Sequence, residues 1–159
     1  MIIYMRHGND EQRRPEFKND PGIRRDADHD IIQHYRKLVS RYGKPDVIYV
    51  SPMRRCIETA KIMGFKDIYI KRGLSRYFLK KETVLHEIDP RTKRLNVPLY
   101  ETSNEFDKRA YRTIKDIDEY VNKGLKVWVI THSLILKRAA KYYNKYIPKH
   151  HDFLEWFIY

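Results

Sequence analysis

Residues 46–64 read DVIYVSPMRRCIETAKIMG, and this stretch decides the fold. Asp46 to Val50 is a short apolar run of β-branched and aromatic residues, the pattern of a strand buried on both faces. Ser51-Pro52 then reads as a helix start, with serine at the cap and proline in the first turn, and Gly64 stops the helix after Met63. A buried strand that feeds directly into a helix belongs to a sheet of parallel neighbours, because parallel strands need crossover connections.

The same alternation extends outward in both directions. Upstream, Ile2 to Met5 reads as a buried strand, and Ile31, Ile32, Tyr35, Leu38, Val39 and Tyr42 form a helical stripe that stops at Gly43, with Pro45 beyond. Downstream, Asp67 to Lys71 alternates like a strand, and a helix from about Asn104 to Asn122 buries Phe106, Ala110, Ile114, Ile117 and Val121. Gly124 closes that helix. Lys126 to Ile130 is a strand leading into Thr131-His132-Ser133 and a helix from Leu134 to about Tyr143, and Asp152 to Tyr159 supplies a final strand. The charged, proline-containing stretches from Asn9 to Arg25 and from Leu74 to Tyr100 read as loops over this scaffold. The expected fold is an α/β three-layer sandwich, a mainly parallel central sheet with helices on both faces. The chain has 159 residues, enough for one compact domain that buries roughly two-thirds of the unfolded surface, so residues 1–159 are read as one domain.

Composition narrows the function classes. With 42% hydrophobic residues the chain is not of the disordered type. The apolar start Met1 to Met5 ends at Arg6, far short of the ~20 residues of a membrane span, which predicts a soluble, cytoplasmic protein without a membrane partner. The single cysteine, Cys56, excludes an internal disulfide and a cysteine-rich metal site, and is read as a small buried hydrophobe. A formal net charge of +12 favours anionic partners: phosphates, nucleic acids or acidic proteins.

In open parallel sheets the ligand crevice lies beyond the carboxyl ends of the strands. Three exits carry chemistry: Arg6-His7-Gly8, Ser51-Pro52-Met53-Arg54-Arg55 and Thr131-His132-Ser133. If these strands are neighbours, guanidinium groups and two imidazoles converge beside helix N-termini whose free N–H groups also attract negative charge. Such a constellation suits a phosphate, which the planar arginine fork holds bidentately. Neutral imidazole is also a competent nucleophile toward phosphorus, and neighbouring cations lower its pKa and keep its attacking nitrogen free. Gly8 lets the backbone pass close to the ligand.

These motifs, in this order, resemble the histidine phosphatase superfamily, also called phosphoglycerate-mutase-like, and especially its small phosphatase branch. The resemblance rests on Ile2-Ile-Tyr-Met-Arg6-His7-Gly8, on Ser51-Pro52-x-x-Arg55-x-x-x-Thr59-Ala60, on Glu101-Thr102-Ser103 followed by Arg109, and on Val127-Trp-Val-Ile-Thr131-His132-Ser133. It implies that His7 is the nucleophile that becomes a phosphohistidine, and that Arg6, Arg55 and His132 hold the phosphate. The motif's register selects Arg55 over its neighbour Arg54. No metal and no other cofactor is implied. The expected activity is a phosphatase acting on a small phosphorylated molecule or a phosphoprotein, a phosphomonoester or phosphohistidine.

Two departures from the family pattern bear on the chemistry. Many relatives carry an acid after the third strand, as Leu-x-Glu, to protonate the leaving oxygen; here the register gives Leu74-Ser75-Arg76, and arginine supplies no proton at working pH. General-acid catalysis then comes from elsewhere or is absent; Glu82 and Glu87 are the candidates, Glu82 being nearer the expected position. Asn9-Asp10 and Arg13 stand where mutase-type members carry small hydroxyl and amide residues, which weighs against a mutase.

The competing readings are a phosphoglycerate-mutase-type phosphotransferase and a non-catalytic basic module that binds nucleic acid or phosphorylated partners. Lys137-Arg138, Lys141-Tyr142-Tyr143, Lys145-Tyr146 and Lys149 interleave bases with aromatics, as a nucleic-acid surface does. A helix that buries its tyrosines and solvates its lysines is the simpler reading, and Tyr4, Tyr49 and Tyr69 are likewise assigned to the core. His150-His151 lacks a cysteine or spaced acid nearby and reads as a solvated pair rather than a metal site, and His29, His34 and His86 as surface or helix-face residues.

Overall fold

The computed structural model describes residues 1–10, 22–77, 101–146 and 152–159. Its order is β1 (Ile2–Arg6), α1 (Asp28–Tyr42), β2 (Val47–Val50), α2 (Arg54–Ile62), β3 (Tyr69–Ile70), a 3-10 turn at Arg72–Leu74, α3 (Ser103–Asn122), β4 (Val127–Thr131), α4 (Ser133–Tyr142) and β5 (Trp156–Ile158). The five strands form one sheet in the order β3-β2-β4-β1-β5. All pairings are parallel except β1 with β5, which joins the tail antiparallel to the first strand.

Strand side chains alternate between two cores, as period-2 geometry requires. Ile3, Met5, Ile48, Val50, Trp128 and Ile130 face α1 and α2, where they meet Ile31, Leu38, Cys56 and Ala60. Ile2, Tyr4, Tyr49, Val127 and Val129 face the other way, against Phe106, Ala110, Ile114 and Ile117 of α3 and Ile135, Leu136 and Ala139 of α4. This is the three-layer α/β arrangement. Each fully buried aliphatic or aromatic side chain contributes about 1.5–3 kcal/mol relative to exposure, and β4, buried along its whole length, is the centre of the sheet. Among the described residues no helix is long and apolar enough to cross a membrane.

Local chemistry sets the element ends. Thr102 and Glu105 form a reciprocal capping box at the start of α3. Gly43 follows α1 with φ of 79°, a left-handed conformation that glycine adopts without steric cost. Gly73 is needed for a different reason, since a Cβ there would overlap Thr113 Oγ1 of α3.

Three expectations are corrected. Ser51 does not cap α2: that helix starts at Arg54 with Met53 at its cap, and the Ser51 hydroxyl turns instead to His132. Tyr69 is not core but 56% exposed, because β3 is a two-residue edge strand with no neighbour among the described strands on its outer side. The tyrosines at the end of α4 are also not all buried: Tyr143 stacks on Tyr159, whereas Tyr142, the last residue of the helix, and Tyr146, beyond its end, are exposed to solvent. Tyr4 and Tyr49 are buried as expected, as is Cys56. Val121, near the end of α3, is only partly buried. His29 is exposed and His34 partly buried; His86, His150 and His151 lie outside the described residues.

Candidate active site

The sheet order makes the three chemically loaded exits neighbours, with β4 between β2 and β1. Backbone hydrogen bonds continue past the strand ends and fix the exits to one another: His7 N–H donates to Thr131 O at 3.1 Å and Ser51 N–H to Ile130 O at 3.0 Å. A further bond ties the loop after β1 to α2, where Gly8 N–H donates to Thr59 Oγ1 at 3.0 Å and the Thr59 hydroxyl donates to Arg55 O at 2.7 Å. Gly8 lies against Ile31, whose Cδ1 would come within 2.6 Å of a Cβ at this position.

Within this frame the two imidazoles stand 5.3 Å apart, centroid to centroid, and Arg55 sits against both. Its Nε donates to His7 Nε2 at 3.2 Å and its Nη2 approaches His132 Nδ1 at 3.4 Å. His7 Nδ1 lies 2.8 Å from Gly8 O. A carbonyl only accepts, so Nδ1 carries the ring hydrogen and Nε2 presents its lone pair. Burial pushes the His7 pKa well below its usual 6.5, and the nearby Arg55 and Arg6 charges add to that, so the ring is neutral at physiological pH. His132 is lowered by burial as well, then by Arg55, His7, Arg76 and Arg6.

His132 is held from behind. Its Nε2 lies 2.8 Å from Ser51 Oγ and 3.6 Å from Cys56 Sγ, both buried. A hydroxyl both donates and accepts, so Ser51 satisfies either tautomer of His132. Arg6 is positioned differently: its guanidinium carbon lies 4.3 Å over the Phe153 ring, which also stands 5.7 Å from the His7 ring. The tail that carries Phe153 is fixed by Leu154 N–H to His7 O and by Arg6 N–H to Glu155 O.

The sequence-derived residues Arg6, His7, Arg55 and His132 therefore meet at one point. Arg54 does not join them; it is exposed and paired with Glu58 at 2.7 Å. Glu82, Glu87 and Arg13 lie outside the described residues. Arg76 occupies the exit of the third strand and is near enough to influence His132. Behind it, Arg109 is ion-paired with Glu101 and donates to the carbonyls of Gly73, Ser75 and Arg76, which fixes that exit to α3. Sequence reasoning missed the site roles of Ser51 and Phe153, whose partners are 81 and well over a hundred positions away. It also missed the place of Asp10, whose carboxylate lies 3.5 Å from Arg55 Nε. Among the described residues no group of His, Cys, Asp and Glu side chains is arranged to hold a metal ion.

Two guanidinium groups and two imidazoles beside helix N-termini are chemically suited to an anion with tetrahedral oxygens. The sequence pattern of the histidine phosphatase superfamily (branch 1) matches residues 2–155, so the chain belongs to that superfamily. Solved structures of similar fold include the protein histidine phosphatase SixA complexed with tungstate, with 14% identity, a TM-score of 0.65, and 96% of this chain and 83% of that chain covered. YhfR of Bacillus stearothermophilus is 18% identical with a TM-score of 0.65, covering 96% of this chain and 86% of its own. The ecdysone phosphate phosphatase of Bombix mori, also complexed with tungstate, is 13% identical with a TM-score of 0.65, covering 98% and 86% respectively. No curated protein matches the sequence.

Proposed function

We propose that the protein is a phosphatase that hydrolyses a phosphorylated small molecule or phosphoprotein through a covalent phosphohistidine at His7. The observation that carries this reading is the hydrogen-bonding state of His7: Nδ1 is committed to Gly8 O, which leaves the Nε2 lone pair directed at Arg55 and the anion pocket. In the first step Nε2 attacks phosphorus and forms the N–P bond, while the bond to the leaving oxygen breaks and that oxygen departs with the electron pair. Arg6, Arg55 and His132 bind the three equatorial oxygens, whose charge is spread in the transition state, so preorganised cations lower the barrier. Water then attacks the phosphohistidine; the new P–O bond forms, the pair returns to Nε2, and the proton lost by water ends on the departing phosphate. The N-termini of α2 and α4 add backbone N–H groups on the same side. That SixA and the ecdysone phosphate phosphatase hold tungstate, a tetrahedral oxyanion, on the same fold supports this assignment.

Trapping the intermediate tests it. Incubation with a labelled aryl or acyl phosphate, followed by an alkaline quench, should leave an acid-labile phosphoryl group on the wild-type protein and none on His7→Ala. Turnover without such a group, or an equal yield in the variant, would overturn the reading.

A further inference from the structure

We propose that Asp10 is the internal counter-ion of the phosphate pocket: its carboxylate competes with the incoming oxyanion for Arg55, and tight anion binding requires that carboxylate to take up a proton. The inference rests on the phosphate-site reading above and adds a residue that regulates the same site.

The Asp10 side chain is 1% exposed, and its Oδ2 lies 3.5 Å from Arg55 Nε and 4.0 Å from His7 Nδ1. Arg55 Nε is also the donor to His7 Nε2, so carboxylate, guanidinium and nucleophilic ring are contiguous. His7 does not neutralise the carboxylate, because its Nδ1 hydrogen is directed to Gly8 O. Nor does the carboxylate swing away with its backbone, which is held by a β-bridge between Asp10 and Ile23 and by Arg24 N–H donating to Asn9 O at 2.9 Å. Its charge also reaches Arg6: burial lowers the Arg6 pKa, and Asp10 opposes that more strongly than Asp152 or Glu155 does.

Among the described residues, the charged and titratable groups near Asp10 come from two elements: Arg6 and His7 from β1 and its exit, and Arg55 from α2, with the Asp152 and Glu155 charges of the tail acting on the same Arg6. With the pocket empty, the arginines favour the ionised carboxylate. A phosphate dianion reverses that balance. Two negative groups within a few ångströms, in a buried site, repel strongly enough to change affinity by about tenfold or more. Protonation of Asp10 removes the repulsion and releases Arg55 to the ligand. At neutral pH the same competition speeds loss of the product phosphate.

Inorganic sulfate is the probe, because it is tetrahedral and stays a dianion from pH 5.5 to 8. Calorimetry on the full chain, in two buffers of different ionisation enthalpy, gives both affinity and protons taken up. The wild-type protein should bind sulfate more tightly as pH falls. Asp10→Asn should bind it about tenfold or more tighter at pH 7.5 and take up fewer protons. His7 and His132 can also protonate on binding, but they do so in both proteins, so the difference belongs to Asp10. Asp10→Ser carries the same expectation should the amide variant fail to fold. Equal or weaker binding by the folded variants, with unchanged proton uptake, would overturn the proposal while leaving the phosphohistidine trap to decide the site itself. Failure of every protein to bind sulfate would overturn it together with the phosphate-site reading.

Discussion

His7 and His132 face each other across a single guanidinium: Arg55 reaches Nε2 of the first at 3.2 Å and Nδ1 of the second at 3.4 Å. Two residues 125 positions apart in sequence are thus brought into one polar unit by a third. Arg55 can do this because α2 begins one residue before it, which places its side chain at the exits of both β1 and β4.

Replacing Arg55 by lysine therefore keeps the charge and loses the fork. An ammonium point charge cannot address two rings and then two phosphoryl oxygens in one plane. Arg55→Lys should lower kcat/KM by about 10²–10³. Arg54→Lys, one position earlier, changes an exposed pair with Glu58 and should leave kcat/KM within about twofold. Steady-state assays on an aryl phosphate check both; comparable losses at the two positions would contradict the assignment of Arg55.

Much of this was legible in the sequence, and the failures share a cause. The change from strand to helix at residues 46–64, and the charged or imidazole residues at three strand exits, are local patterns, so β2, α2, β4 and the convergence of Arg6, His7, Arg55 and His132 could be read directly. Ser51 was misread because its local context, serine before proline, is that of a cap, whereas the buried His132 imidazole at the exit of β4 claims its hydroxyl. Tyr69 carries the residue type of a core strand, but burial depends on whether another strand covers its side of the sheet, which no window of sequence records. Asp10 and Phe153 join the site only through partners on other elements.

The two buried imidazoles make stability depend on pH. Their folded-state pKa values lie well below 6.5, chiefly through burial, so below about pH 6.5 the unfolded chain binds protons that the folded chain refuses. The sign follows: this stability is fully present above about pH 6.5 and is lost as pH falls toward the folded values. Each group contributes a slope of up to about 1.4 kcal/mol per pH unit. His34, also lowered by burial, acts in the same direction. Urea denaturation between about pH 7.5 and pH 5.5 should show falling stability, and the double variant His7→Gln/His132→Gln should show a shallower fall. Equal slopes would mean that the rings are not held neutral.

Leaving-group chemistry tests the third strand's exit. By the resemblance of sequence, Arg76 takes the position of the acid that many relatives use to protonate the departing oxygen, and an arginine has no proton to give at neutral pH. General-acid assistance is typically worth about 10²–10⁴-fold, and alkyl esters need it far more than aryl or acyl phosphates do. Aryl phosphates should therefore be turned over at least about 10²-fold faster than alkyl phosphates. Similar rates, with chemistry limiting in both, would mean that a proton donor reaches the leaving oxygen, and Glu82→Gln and Glu87→Gln would then identify it.

The Glu101–Arg109 pair holds the same exit from below, and its removal should be felt as stability before it is felt as catalysis. Glu101 is nearly fully buried and Arg109 largely so. Truncating one partner leaves the other's charge with little water to replace it, at a cost of about 3–5 kcal/mol for a buried pair. Arg109→Met removes, in addition, the donor to the carbonyls of Gly73, Ser75 and Arg76. Glu101→Leu leaves Arg109 charged but still bonded to those carbonyls, so it should be the milder of the two changes. The double variant Glu101→Leu/Arg109→Met should cost less than the sum, because no unpaired charge remains, yet more than Glu101→Leu alone, because the carbonyls stay bare. Urea midpoints for the four proteins give the coupling directly. Strict additivity would show that the two charges are screened from each other and that the exit is held by the backbone bonds alone.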